Sequence, residues 1–433
     1  MTGAARGRFE RSTVSRRTIF ESAAALGAVQ LVSLVLPLIA LPTIAAELGA
    51  DALGRMAFVL SIAQIALTLT DYGFNLSAPR AVALQRDAPQ QLADIWCAVT
   101  VLRAGFALLG VMVIGLAAMV SERIRADAGL IALAYLMVLG NVLFPQWFFQ
   151  GLQQLKLVSL IQVGARFTVF GAVFVLVKGP HSLAWATLLQ ASGGLLGAML
   201  ALPLVRRALP GARLRWPGRR QLGLHLKQGW HVFLSSAAVT LYTSGNAFFL
   251  GMVAAPSAVG YYHVAEKLVR AVQTLYGPIS GAIYPHVARL ARDTEALLRF
   301  NRNIALGLGA AAALASIGMY VVAPFSVQAI FGTRFAPAVP ILRLFAPLPL
   351  LTVLSNVLGV QTMLVLGMEA LFSRVLIAAA VVDVAVFVPA AYLAGGIGAA
   401  GANLVVESFV TAAMAVLLHR SGRNPLTFHF RRA

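Results

Sequence analysis

The sequence predicts an all-α polytopic transmembrane bundle of about twelve spans, arranged as two six-helix lobes in a parallel repeat. Three observations carry that reading: an apolar excess, its division into runs of bilayer length, and a one-sided distribution of arginine. The 433 residues are 59% hydrophobic and 11% charged, with a mean hydropathy of +0.83. A soluble domain carries roughly 25% charged residues, so the chain lacks the polar surface to cover a water-facing globule. Leu26–Ala46, Ala128–Phe149 and Val375–Leu393 are nearly free of charge. Each is about 20 residues long, enough at 1.5 Å per residue to cross a hydrocarbon core of roughly 30 Å. Backbone groups in lipid must be paired within their own segment, so such runs are helices.

Counted along the chain, the spans fall near 22–46, 55–76, 92–120, 128–149, 157–177, 182–205, 228–252, 258–287, 302–330, 338–366, 372–393 and 396–418. The first apolar run is too long for a signal-peptide core and reads as a retained span. The formal charge of +19 is a topology signal and not a nucleic-acid footprint. Arg6, Arg8, Arg11, Arg16 and Arg17 precede span 1, and Arg206, Arg207, Arg213, Arg215, Arg219, Arg220 and Lys227 fill the central loop. Arg289, Arg292, Arg299, Arg302, Arg420, Arg423, Arg431 and Arg432 fall on the same side. The opposite side carries only Arg55, Arg123, Arg125, Lys178 and Arg334. The positive-inside rule therefore places both termini in the cytoplasm.

The organisation that follows is a cytoplasmic segment 1–21, an N-lobe 22–205, a basic linker 206–227, a C-lobe 228–418 and a cytoplasmic tail 419–433. The lobes echo each other: spans 1 and 2 meet across Glu47–Gly54, and spans 7 and 8 across Val253–Gly260. Six spans separate these turns, which gives both halves one orientation. The lone Cys97 excludes an internal disulfide, and the seven histidines show no metal-ligand spacing. Gly396–Gly401 spells GxGxxG but lacks a βαβ context. With Gly193/Gly197 and Gly277/Gly281 it reads as small-residue helix packing. No cofactor is expected.

Charges inside spans are the informative residues, since each costs roughly 2.5–3.5 kcal/mol at a helix centre on insertion scales. They are Arg103, Arg166, Glu266, Lys267, Arg270, Asp383 and Glu407, with Asp71, Arg80 and Arg343 nearer span ends. The deep basic members outnumber the acids, so a cavity lined by Arg103, Arg166, Lys267 and Arg270 is cationic and suits an anionic solute, with Arg80 at the cytoplasmic entrance. Arginine's planar fork matches phosphate. Asp71, Glu266 and Asp383 are candidates for proton or sodium coupling. Glu266 and Arg270, four apart, also fit an internal pair. Tyr261 and Tyr262 are candidate aromatic contacts for the solute, beside the simpler role of interface anchors.

Three stretches resemble the polysaccharide transporter family, the Wzx-type flippases of the multidrug/oligosaccharidyl-lipid/polysaccharide superfamily. They are "TDYGFNLSAPRAVALQRD" (70–87), "FPQWFFQGLQQLKLVSLIQVGARF" (144–167) with Pro145, Trp147 and Gly151, and "VGYYHVAEKLVRAVQTLYGPISGAIYPHVARL" (259–290). The resemblance implies an inner-membrane protein that is not an enzyme. It would flip an undecaprenyl-diphosphate-linked oligosaccharide between leaflets for O-antigen, capsule or exopolysaccharide synthesis. Membrane lipids, and the polymerase and chain-length proteins of polysaccharide assembly, are the implied partners; nucleic acid is not. The rivals are a multidrug antiporter of the same superfamily, a peptidoglycan-precursor flippase, and a membrane-embedded polymerase or glycosyltransferase. The basic bias disfavours the first, the span count the second, and the short outer loops the third.

Overall fold

The computed structural model describes the backbone of residues 16–427, and side chains from Leu36 onward apart from several between His231 and Ser244. Arg6, Arg8, Arg11, Arg431 and Arg432, which helped to assign the cytoplasmic side, lie outside the described residues, as do the side chains of Arg16 and Arg17.

Every regular element among the described residues is helical. The first half contains α1 (Arg16–Asp71), α2 (Phe74–Leu84), α3 (Pro89–Val120), α4 (Glu122–Ala126), α5 (Ala128–Ala134), α6 (Leu136–Leu143), α7 (Gln146–Gly151), α8 (Leu155–Leu176) and α9 (Leu183–Ala208). The second contains α10 (Arg219–Val253), α11 (Pro256–Thr274), α12 (Tyr276–Arg289), α13 (Thr294–Phe331), α14 (Ala338–Phe345), α15 (Leu348–Leu358) and α16 (Glu369–Arg420). Among the described residues eight stretches are long and apolar enough to cross a bilayer, so the chain is a polytopic all-α membrane bundle.

Two of those stretches are too long to be single spans. Leu36–Leu84 holds 49 residues, which would reach about 70 Å if straight, more than twice the hydrocarbon thickness. Gly49 breaks it with φ 75° and ψ 176°, a conformation open to glycine and costly for other residues. The 52-residue α16 is broken likewise at Ala394 and Gly395.

The turns at Glu47–Gly54 and Val253–Gly260 thus appear as Gly49 and as the gap between α10 and α11. They also pack on each other. A Cβ on Gly54 would overlap the Pro256 carbonyl, and one on Gly260 would overlap that of Ala50. Backbones meet there because neither residue carries a side chain, and a core of Leu53, Val259, Tyr262, Phe345 and Phe387 fills in around them.

A second core sits at the opposite end. Phe144, which precedes a proline, is extended at ψ 120°, so the chain turns into the short α7. Trp147 is 2% exposed and stacks on Trp96 of α3 with ring centroids 5.4 Å apart. A Cβ on Gly151 would lie 2.5 Å from Val82 Cβ, so α2 and α7 fit only with glycine at that point.

The structure revises some expected boundaries and packing roles. α10 begins at Arg219, so only Leu209–Gly218 separates it from α9, and residues 219–227 of the basic linker are helical. Gly218 is its N-cap, with the Gln221 side chain accepting from the Gly218 N–H at 3.2 Å. Nothing in the following residues breaks a helix, so it continues past its apolar part. Gly396 does pack closely, against Ile341 and the Ala258 carbonyl. Gly277 and Gly281, read as packing residues, would have no atom within 4 Å of an added Cβ.

Gly54→Ala is therefore expected to lower the thermal unfolding midpoint of the purified protein by several degrees, since overpacking typically costs about 1–3 kcal/mol. Gly281→Ala, inside a helix with open space, should leave it unchanged or raise it. Differential scanning fluorimetry in detergent compares the two directly.

Candidate functional site

A cavity of about 620 Å³ lies inside the bundle, walled by first-half helices on one side and by α11 on the other. From α11 it takes His263, Glu266, Lys267 and Arg270. That i, i+3, i+4, i+7 spacing puts all four on one helix face. From α8 it takes Gln162, Arg166, Val169, Phe170 and Val173, again one face. α9 supplies Gln190, Gly193 and Gly194, α1 supplies Ser61 and Gln64, and the α6–α7 bend supplies Asn141 and Gln146.

Three cations and one carboxylate face this space. Glu266 accepts from Arg270 Nε at 2.9 Å, so that pair is internal to α11. Arg166 and Lys267 have no hydrogen-bond or ion-pair partner among the described residues, and both line the cavity. Lys267 and Arg270 also line a second cavity of about 390 Å³ beside Pro37 and Leu38 of α1.

Arg103 is placed differently. It is 1% exposed and lies outside the cavity lining. One terminal nitrogen meets Asp71 Oδ1 at 2.5 Å, the other donates to the Asn141 carbonyl at 3.1 Å, and Asn141 Nδ2 donates to Asp71 at 2.8 Å. These bonds tie α1, α3 and α6 together, and through Asn141 they fix one part of the cavity wall. Asp71 is followed by Tyr72 at φ 39° and Gly73 at φ 77°. Tyr72 is clamped between Phe106 and Phe233, each 4.7 Å away.

The remaining expected site residues are scattered. Arg80 lines a separate cavity of about 750 Å³ with Gln85, Asp94, Gln221 and His225. Asp383 is 1% exposed, with both carboxylate oxygens unpartnered among the described residues, and it lines none of these cavities. Tyr262 is fully buried against Phe345 and Phe387, and Tyr261 packs on Phe335; both belong to the core and neither lines any of these three cavities. Among the described residues no group of three His, Cys, Asp or Glu could hold a metal. Sequence reading passed over His263 and the four glutamines. The helical spacing of His263 from Arg270 and of Gln162 from Arg166 would have found two of them.

A family model described as polysaccharide biosynthesis protein matches residues 19–291, which include all three resembling stretches. The chain belongs to the polysaccharide biosynthesis protein family. It is 29% identical over 406 residues to a candidate O-antigen transporter of Escherichia coli (strain K12), with 92% of this chain and 95% of that protein covered. A second, from Shigella dysenteriae, is 25% identical over 386 residues, covering 88% and 94%. Among solved structures, the fold is similar to the lipid II flippase MurJ in an inward closed conformation. That match has a TM-score of 0.66 at 10% identity and covers 92% of this chain and 87% of that one. An inward-facing multidrug resistance MATE family transporter matches at 0.58 and 17% identity, covering 92% and 98%.

In this family member, removing Arg103 and removing Arg166 should differ in kind. Arg103→Ala leaves the half-buried Asp71 without its cation and should destabilise the fold by about 1–3 kcal/mol. Arg166→Ala breaks no bond and should leave the unfolding midpoint unchanged or raised. Thermal unfolding in detergent reads both.

Proposed function

We propose that this chain flips a lipid-linked oligosaccharide across the bacterial inner membrane, with an undecaprenyl diphosphate anchor, for polysaccharide assembly. The observation that carries the reading is the pair Arg166 and Lys267, two cations that face one cavity with no hydrogen-bond or ion-pair partner among the described residues. Charges left unpaired inside a membrane bundle mark a solute path. A diphosphate supplies the matching anion, with Arg270 beside them. The O-antigen transporter relatives and the lipid II flippase fold support the same class of cargo. The multidrug alternative is weaker, because cationic drugs favour unpaired acids, and the one acid in this cavity is held by Arg270.

In this reading the bundle is two six-span lobes, with both termini cytoplasmic. The breaks at Gly49 and at Ala394–Gly395 raise the eight apolar stretches to ten, and counting α10 and the α11–α12 pair as one span each brings the number to twelve. The cavity lies where α11 of the second lobe meets the first, so rocking of the lobes about the Gly54 and Gly260 contacts would expose it to each side in turn. Arg103 acts as a positioning residue through Asn141, and Arg80 guards the cytoplasmic mouth. Asp383, a buried carboxylate with no partner among the described residues, takes the coupling proton or cation. Glu266 and Asp71, held in ion pairs, are less available for that role.

The test is polysaccharide export in a strain lacking its own flippase. Arg166→Ala with Lys267→Ala should reduce export at least about tenfold at normal membrane abundance, since each charge-assisted bond contributes about 1.5–3 kcal/mol. Wild-type export by this double variant would refute the assignment. Asp383→Asn should keep substrate binding in proteoliposomes while losing the response of transport to an imposed ion gradient.

A further inference from the structure

Opposite the α11 cations, the first half of the chain presents four carboxamides to the same cavity: Gln64, Gln146, Gln162 and Gln190. Each is half-buried. None of these side chains has a hydrogen-bond partner among the described residues. Such groups are expensive within membrane-spanning helices, where neither lipid nor a neighbour completes them. Packing does not explain them, because leucine fills the same volume without the penalty. They come from α1, α7, α8 and α9 and converge on one space.

The chemistry of that wall differs from the one it faces. A primary amide both donates and accepts, carries no charge, and matches the hydroxyl and acetamido groups of sugars. The cations are gathered on α11 and at Arg166, which shares the α8 face with Gln162. Room is kept beside Arg166 by Gly193, whose added Cβ would come no nearer than 3.9 Å to Val169 and 4.0 Å to Arg166. Phe144 and Phe170 line the same space and offer apolar surface to the faces of sugar rings.

We infer that the cavity is divided: the cations hold the diphosphate, and Gln64, Gln146, Gln162 and Gln190 form a subsite for the uncharged sugars next to it. This rests on the flippase reading and adds the residues that select the glycan. The subsite favours neutral and N-acetylated sugars, because the amides add no net charge to the wall.

Binding is measured on the purified full chain by isothermal titration with two probes, undecaprenyl diphosphate and the same lipid carrying one N-acetylhexosamine. Wild type should bind the sugar-bearing lipid roughly tenfold more tightly, about the gain from one or two added neutral hydrogen bonds. Gln64→Leu, Gln162→Leu and Gln190→Leu combined should erase that gain and leave affinity for the sugar-free lipid within about twofold. The unfolding midpoint should hold or rise; a merely structural role for the amides would lower it. Gly193→Leu keeps every amide but fills the space beside Gln190 and Arg166, and it should also remove the sugar-dependent gain, so the outcome does not hang on the triple variant folding. If both variants keep the sugar-dependent gain, the subsite is overturned while the flippase reading stands. If neither lipid binds wild type, the flippase reading falls, and the subsite with it.

Discussion

A charged side chain within a membrane bundle must be paired by protein or wetted in a cavity, and the architecture follows from how this chain meets that demand. Arg103 is paired: Asp71 and the Asn141 carbonyl enclose it, and three helices are bound by the result. Arg166 and Lys267 instead share a cavity. The two solutions are linked through Asn141, which bonds to the first set and lines the second. A structural ion pair thereby sets one wall of the space that the unpaired cations need.

Close approach of helices is the second constraint, and glycine meets it at the points where the halves touch. With backbones in contact at Gly54 and Gly260, α1 and α11 lie side by side, which brings the polar face of α11 toward α8 and α9. Gly151 does the same for α2 and α7, the elements that carry two of the three family-like stretches. In this chain those two stretches are two surfaces of one contact. Trp147 and Trp96 complete that contact by stacking.

Much of the fold was legible in the chain because length and hydrophobicity act locally. A run of about 20 apolar residues has one solution in lipid, whatever surrounds it. Turns were legible for the same reason, as at Gly49 and before Pro256. The fate of a single arginine was not. Arg103 and Arg166 look alike in sequence, each alone in an apolar run, and they differ only through partners 32 and 38 residues from Arg103. The basic segment around Arg219 carries the charge that marks the end of a span, yet it is helical, because a charged helix extends into water without difficulty. Gly277 and Gly281 fit a spacing that signals helix contact, yet no atom of the described residues comes within 4 Å of an added Cβ at either. The stripe from His263 to Arg270 lies between these extremes: its spacing declares one face, while the cavity it meets is made by distant helices.

The placement of that stripe bears on how a cavity of this kind can change its access. Lys267 and Arg270 line the central cavity and also the smaller one beside Pro37 and Leu38. They therefore sit on the boundary between α11 and the first half. Any rotation of the halves about the Gly54 and Gly260 contacts moves these cations relative to Arg166 and the amides of α8 and α9. A headgroup held between the two walls would lose half of its contacts as they part. Release then needs no separate device, because the same motion that opens the path weakens the grip on the cargo. Such coupling of affinity to opening requires binding groups split between two moving parts, and the groups proposed for the cargo lie on α11 on one side and on α8 and α9 on the other.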